Sequence, residues 1–227
     1  MAKKVLTEQE KLQQEKVEER VSAVDKFFKE NGKYIWGCVI ALLVIWAAIL
    51  CYQRFYLQPK KAEAAAQMFP AENNFAAGNY DLALNGDGNV LGFSQVIEDY
   101  GKKAGAAAYL YAGICELQLG NYENALSYLK KYNGKDEILG ARALGCQGDA
   151  LVGLDRLGDA IACYDKAAAK ADNIFAASYL LKAGVACEEM GNAPKALTYY
   201  KKIKDQYPQS MEGYDIDKYI SRIENAQ

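Results

Sequence analysis

The chain has 227 residues, room for one ordinary domain with appendages, and a formal net charge of −2 from 27 basic and 29 acidic residues. That balance lacks the basic excess of a nucleic-acid binder, so no nucleic-acid partner is expected. There is no histidine, which removes Ser-His and Cys-His nucleophile pairs and the commonest metal ligand.

With four prolines and abundant Ala, Leu and Tyr, the composition predicts an all-α chain. The first predicted element is a charged helical arm over residues 1–33. Within it Val17, Val21, Val24 and Phe28 are spaced 4, 3 and 4 apart, a thin apolar stripe. The stripe reads as a solvated helix or as a short partner-binding seam. Asn31-Gly32 then predicts a helix stop.

Residues 34–56 form the second element. No charge falls between Lys33 and Arg54, and 19 apolar residues in a helix rise about 29 Å, close to the hydrocarbon thickness of a bilayer. Tyr34 and Trp36 border the run on one side and Tyr52 on the other, with Lys33 and Arg54 just outside, as expected at membrane interfaces. A cleaved secretory signal would have a shorter apolar core and a small-residue cleavage site. A lipoprotein-type cut before Cys51 meets bulky Leu50 where a small residue belongs. A buried core helix lacks a second apolar helix to cover it. The expectation is therefore an uncleaved single span. Lys16, Arg20, Lys26, Lys29 and Lys33 before it, against Arg54, Lys60 and Lys61 after it, orient the arm to the cytoplasm.

Residues 57–210 are self-similar. "YLYAGICELQLGNYENALSYLKKY" (109–132), "LGCQGDALVGLDRLGDAIACYDKA" (144–167) and "LLKAGVACEEMGNAPKALTYYKKI" (180–203) align without gaps. Gly113, Gly148 and Gly184 are each followed twelve residues later by Ala125, Ala160 and Ala196, and four further on by Leu129, Tyr164 and Tyr200. Pro208 closes the last unit. The order of small, aromatic and proline positions resembles the tetratricopeptide repeat, a helix-turn-helix unit of about 34 residues. The small positions let helices A and B approach, Gly120, Asp155 and Gly191 take the turns, and the aromatic is expected to fill the gap between repeats.

"AAGNYDLAL" marks an earlier, degenerate copy around Ala83, in which "NGDGNVLG" delays the bulky residue to Phe93. "NGDGN" lacks the acidic spacing of a calcium loop, so a turn interrupting helix B is expected rather than a metal site. Residues 211–227 read as a capping helix, with Asp215 as N-cap and Ile216, Tyr219, Ile220 and Ile223 on one face.

Such a stack presents its A helices on a concave face. By repeat position this groove is lined by Leu110, Ile114, Leu117, Arg142, Asp149, Val152, Leu181, Val185 and Glu188, a mixed lining suited to a peptide; Glu116 stands where an aromatic is usual, exposed or paired. Catalytic residues, a cofactor and a small-molecule substrate are not expected. A thiol oxidoreductase built on Cys115, Cys146, Cys163 and Cys187 is the enzymatic alternative, opposed by the lack of a C-x-x-C pair and of a neighbour arranged to lower a thiol pKa.

A charged arm ending in "VDKFFKENGK" (24–33), one span and a repeat domain together resemble the YfgM-like family of ancillary Sec translocon subunits, with "FFKENGK" the most specific part. The resemblance implies a bacterial inner-membrane protein, N-terminus cytoplasmic and repeat domain periplasmic. It also implies protein partners: translocon subunits, exported chains or periplasmic chaperones. An envelope-assembly scaffold and a cytosol-facing receptor are the alternatives. The arm is longer here, and "NGDGN" is an insertion.

Overall fold

The computed structural model describes residues 8–225, with side chains described at Lys26 and from Lys29 onward. Two compact units divide the chain after Gln58. The first contains α1 (Glu8–Tyr52) followed by a π-helical turn, Gln53–Leu57. The helix stop expected at Asn31-Gly32 does not occur: α1 runs through both residues, and Gly32 keeps right-handed backbone geometry. One glycine inside a helix costs about 1 kcal/mol against alanine, too little to end a helix that propagates from both sides. The stripe Val17, Val21, Val24 and Phe28 lies outside the described side chains. Lys33, Tyr34, Trp36, Tyr52 and Arg54 are all exposed, as are Leu42, Leu43, Val44 and Trp46 between them. This helix is long and apolar enough to cross a membrane, and none of its apolar stretch is buried by protein.

The second unit is a stack of antiparallel helix pairs. Its helices are α2 (Gln58–Ala76), α3 (Tyr80–Asn85), α4 (Phe93–Tyr100), α5 (Ala106–Gln118), α6 (Tyr122–Leu129), α7 (Glu137–Gly153), α8 (Leu157–Ala171), α9 (Ala176–Glu189), α10 (Ala193–Gln206) and α11 (Met211–Asn225). No strand occurs among the described residues. Each helix from α5 onward packs on the next, and α5 meets α7 as α9 meets α11, so α5, α7, α9 and α11 form one layer of A helices.

The turns repeat one geometry. Asn79, Asn121, Arg156 and Asn192 each donate a backbone N–H to the carbonyl five residues earlier, at Asn74, Glu116, Leu151 and Cys187. This Schellman closure needs a left-handed residue just before the donor. Gly78, Gly120 and Gly191 supply it with φ of 79°, 79° and 74°, and Asp155 does so at 58°. The first, degenerate copy therefore shares the turn of the others. Its small residue at the glycine position is Ala71, twelve before Ala83, and both are buried.

Within each repeat the glycine lies directly under the large residue of helix B. A Cβ placed on Gly148 would come 2.4 Å from the Tyr164 ring, on Gly184 2.3 Å from Tyr200, and on Gly113 2.6 Å from Leu129. The aromatic expected to bridge repeats thus packs first inside its own repeat, because the missing Cβ leaves a ring-sized space there. Ala83, Ala125, Ala160 and Ala196 are fully buried on the facing helix.

In the first copy, helix B is cut into α3 and α4 by the insert. Asp87 Oδ1 accepts the N–H groups of Asn89 and Val90, each at 2.9 Å, and Ser94 Oγ donates to the Leu84 carbonyl at 2.7 Å. Those amide bonds hold the Asp87 carboxyl below its usual range, so the loop satisfies its own acid by turning on it. Phe93 is fully buried and stacks on Tyr111 at 5.3 Å between ring centroids.

At the other end α11 starts earlier than the sequence suggests. Ser210, not Asp215, is the N-cap: its Oγ accepts from the Gly213 N–H at 2.9 Å, while Asp215 is exposed and paired with Lys218. Serine and aspartate cap comparably, and Ser210 is the one placed after the break at Pro208. Ile216, Ile220 and Ile223 are buried, and the Tyr219 ring meets Tyr200 at 5.3 Å.

The packing separates two kinds of glycine. Gly184→Val is expected to destabilise the chain by about 1–3 kcal/mol through overpacking. Gly158→Ala, where a Cβ meets open space in α8, is expected to stabilise it by about 0.4–1 kcal/mol. Thermal unfolding of the two variants measures both signs.

Candidate functional site

The expected groove residues lie on the A helices α5, α7 and α9 and divide into three sets. Leu110 and Ile114 are buried in the core; they pack under the face rather than line it, because helix α5 turns them toward Leu126 and Leu129 in the same apolar cluster. Leu117, Val152 and Leu181 are half-buried and Val185 is more open. The polar members, Asp149 and Glu188, are half-buried and Arg142 is exposed. A cleft of about 220 Å³ between α7 and α9 brings four of them together, Asp149, Val152, Leu181 and Val185, with Tyr164, Lys182 and Glu189.

Two carboxylates on this face, Asp149 and Glu188, are each held by two other repeat positions. Tyr164 Oη donates to Asp149 Oδ1 at 2.8 Å, and Lys182 Nζ from the next A helix reaches both oxygens of Asp149 at 2.8 Å. One repeat further on, Tyr200 Oη donates to Glu188, and Arg222 of α11 binds both Glu188 oxygens at 2.7 and 2.9 Å. The same tyrosine that covers the glycine therefore anchors an acid, and the acid ties its repeat to the next by a cation. Burial, together with the adjacent carboxylate, pushes the Tyr164 and Tyr200 hydroxyls well above the usual phenol range, so they remain donors. In the second repeat, where Leu129 replaces tyrosine, Glu116 is buried and accepts from Asn121 Nδ2 at 2.8 Å; the sequence expectation of an exposed or paired Glu116 resolves to the paired form.

Sequence reasoning missed Lys182, Arg222 and the hydroxyls of Tyr164 and Tyr200. The available signal was the phenol itself, since a buried Tyr O–H requires a partner. Asp149 and Glu188 were the nearest acids on helix A.

The four cysteines of the repeats are free thiols: Cys115 and Cys187 are buried, Cys146 and Cys163 half-buried. Burial pushes the Cys115 thiol up to about 12, and burial with nearby Asp149 pushes Cys146 up to about 11. A nucleophilic or redox-active thiol requires the opposite shift, which argues against thiol chemistry on this face.

The description "Tetratricopeptide repeat" belongs to the family pattern that matches residues 93–137 and 147–210. Among solved structures, one crystal structure of MamA is 22% identical, covers 69% of this chain and 83% of its own, and superposes with a TM-score of 0.55. A second crystal structure of MamA protein is 21% identical, with 71% and 86% coverage and a TM-score of 0.54. No curated protein matches the sequence. The fold is an all-α tetratricopeptide-repeat solenoid preceded by one long apolar helix.

Raised thiol and phenol pKa values fix the sign of an alkaline effect. Unfolded thiols lose their protons near 9.0 while Cys146 and Cys115 hold theirs to about 11 and 12, so the folded state binds more protons over that window. Stability is expected to be intact below pH 9 and to fall progressively from pH 9 to 12. Thermal melts against pH test this, and Cys146→Ala is expected to flatten part of the slope.

Proposed function

We propose that this tetratricopeptide-repeat chain is a membrane-anchored scaffold whose concave groove holds apolar, uncharged segments of other proteins. The observation that carries the reading is the division of the groove lining. Asp149 and Glu188 are closed by tyrosines and by cations of the next repeat, while Leu117, Val152, Leu181 and Val185 keep apolar surface open and Arg142 and Glu189 stay exposed beside them. A ligand approaching this face meets apolar side chains, two neutralised acids and one exposed charge of each sign, which favours apolar contacts over a peptide of strong single-sign charge. Such contacts are individually weak, and a tether that concentrates the groove near its clients lets them suffice.

The bilayer is the natural cover for the exposed Tyr34–Tyr52 stretch, and the lysine and arginine bias favours an arm in the cytoplasm with the repeats on the far side. Together with the "FFKENGK" resemblance, this supports exported chains, translocon subunits or the periplasmic chaperones that receive them as the ligands. Photo-crosslinkers at Leu117 and Val152 in living cells are expected to trap translocon subunits or exported chains, and recovery of cytosolic proteins alone would overturn the assignment. Val185→Asp, at the most open of these positions, is expected to reduce that capture by roughly tenfold, the effect of an uncompensated charge in an apolar contact, with the stability shifted by no more than about 0.5 kcal/mol, as for a surface substitution.

One observation favours a second reading, in which the repeats face the cytosol: the four repeat-domain cysteines are thiols rather than disulfides, the usual state in a reducing compartment. A membrane-impermeant thiol label on Cys variants at exposed positions such as Met190 separates the two. Labelling of cells with only the outer membrane permeabilised supports the outward orientation, and labelling only after inner-membrane lysis reverses it.

A further inference from the structure

Lys182, Val185 and Glu189 follow one another at intervals of three and four residues, so they share one face of α9, and all three line the cleft against α7. Seven residues in a helix rise about 10 Å, which puts the two charges at opposite ends of the apolar surface around Val185. Between them the cleft is walled by Val152, Leu181, Val185 and the Tyr164 ring. An apolar cavity of about 150 Å³ accepts a benzene ring. This cleft, of about 220 Å³, has room for a phenylalanine or leucine side chain entering from solvent.

The two charged ends differ. Lys182 is engaged by Asp149, both of whose oxygens it reaches at 2.8 Å. Glu189 is exposed, and among the described residues its carboxylate has no hydrogen-bond donor and no ion-pair partner. Arg222 holds both oxygens of Glu188, and Arg156 is bound to Asp159. Glu189 is also the last residue of α9, whose final turn carries no basic residue. A carboxylate there faces the negative end of the helix dipole, so folding alone disfavours it. Its neighbour Glu188 shares that disadvantage and is compensated by Arg222 and the Tyr200 hydroxyl, whereas Glu189 has no such compensation among the described residues. Exposed Arg142 stands ten residues before Val152 on α7, about 15 Å along the helix. A short segment seated in the cleft therefore meets an unbalanced negative charge at one end and no free cation at the other.

We propose that the protein segments held in this groove carry a lysine or arginine beside their apolar part, with a phenylalanine or leucine side chain in the cleft and the cation on Glu189. Val185 and Glu189 are four residues, about 6 Å, apart along the helix. An extended ligand at about 3.3 Å per residue covers that distance in two residues, so the cation stands two positions from the anchor. The proposal rests on the groove reading given above and narrows it: what fills the cleft is uncharged, and the basic residue borders it.

Short fluorescent peptides test it by anisotropy on the full chain in phosphatidylcholine nanodiscs, with empty discs as the blank. Each peptide holds one core, Leu-Val-Phe, with Lys, Gln or Glu two positions from the Phe, placed after the core in one set and before it in another. In at least one set the Lys peptide is expected to bind about two- to fivefold tighter than the Gln peptide, the range of an exposed ion pair, and the Glu peptide more weakly than both. Glu189→Gln is expected to abolish that ranking and Glu189→Lys to reverse it, while Arg142→Gln keeps it. Neither Glu189 variant is expected to lower the melting temperature, and a lower melt would assign the carboxylate to the fold and overturn the proposal. Raising salt from about 0.1 M to about 1 M, which shortens the screening length from ~10 Å to ~3 Å, is expected to remove the ranking but not the binding of the core. Equal binding of the Lys and Glu peptides, or a ranking that survives Glu189→Gln, overturns the role of Glu189 alone, provided Val185→Asp still weakens every peptide. Peptides that fail to bind, or that bind Val185→Asp as well as the parent chain, overturn the groove reading and the proposal together.

Discussion

Everything in the repeat unit depends on a glycine lying beneath a large side chain of the antiparallel helix. Gly113 beneath Leu129, Gly148 beneath Tyr164 and Gly184 beneath Tyr200 set how closely A and B helices approach, and a single methyl at those places meets the ring or branch at 2.3 to 2.6 Å. Close approach buries Ala125, Ala160 and Ala196 completely. Once the spacing is fixed inside each pair, the Schellman turn fixes its angle, and the next pair can only stack in the same sense. Repetition of one such local contact is what gives a repeat stack its regular curvature.

The same contact gives the face its chemistry. Packing tyrosine rather than phenylalanine on the glycine brings a hydroxyl to the groove side, where it must find an acceptor. Asp149 and Glu188 provide one, and a carboxylate held there needs a countercharge, which Lys182 and Arg222 bring from the following A helix. A demand for polar satisfaction inside one repeat thus becomes a strut between repeats and neutralises Asp149 and Glu188 where they line the groove. The pairs are partly exposed, so their worth lies more in fixing register and lining than in stability; isolated ion pairs of this exposure contribute about 0–1 kcal/mol.

Much of this was legible from the sequence. The Gly-Ala-Tyr spacing located three repeats and their turns, and Ala83 located the fourth, because small residues at fixed intervals have a direct steric meaning. Four features were not legible, each for a physical reason. Ala71 stood in for the glycine of the first copy, and alanine is too common in helices to be noticed. Leu110 and Ile114 were placed in the groove by repeat position, yet burial depends on how far each helix is rotated in its pair, and a one-dimensional pattern does not encode that rotation. The break at Asn31-Gly32 failed because turn chemistry states what a residue tolerates, while a long helix on both sides decides what it does. The cap of α11 moved from Asp215 to Ser210 for a related reason: several residues qualify as caps, and the chain break at Pro208 selects one.

Methyl NMR on the full chain in nanodiscs, titrated with an unfolded apolar polypeptide, tests the central claim most directly. The account predicts shifts at Leu117, Val152, Leu181 and Val185, with little change at Ile161 in the buried layer or at the exposed Ile138 and Ile174 outside the groove. Shifts confined to Ile138 and Ile174 or to the B helices, or no shift as the polypeptide is added in excess, would contradict the assignment of the concave face as the binding surface.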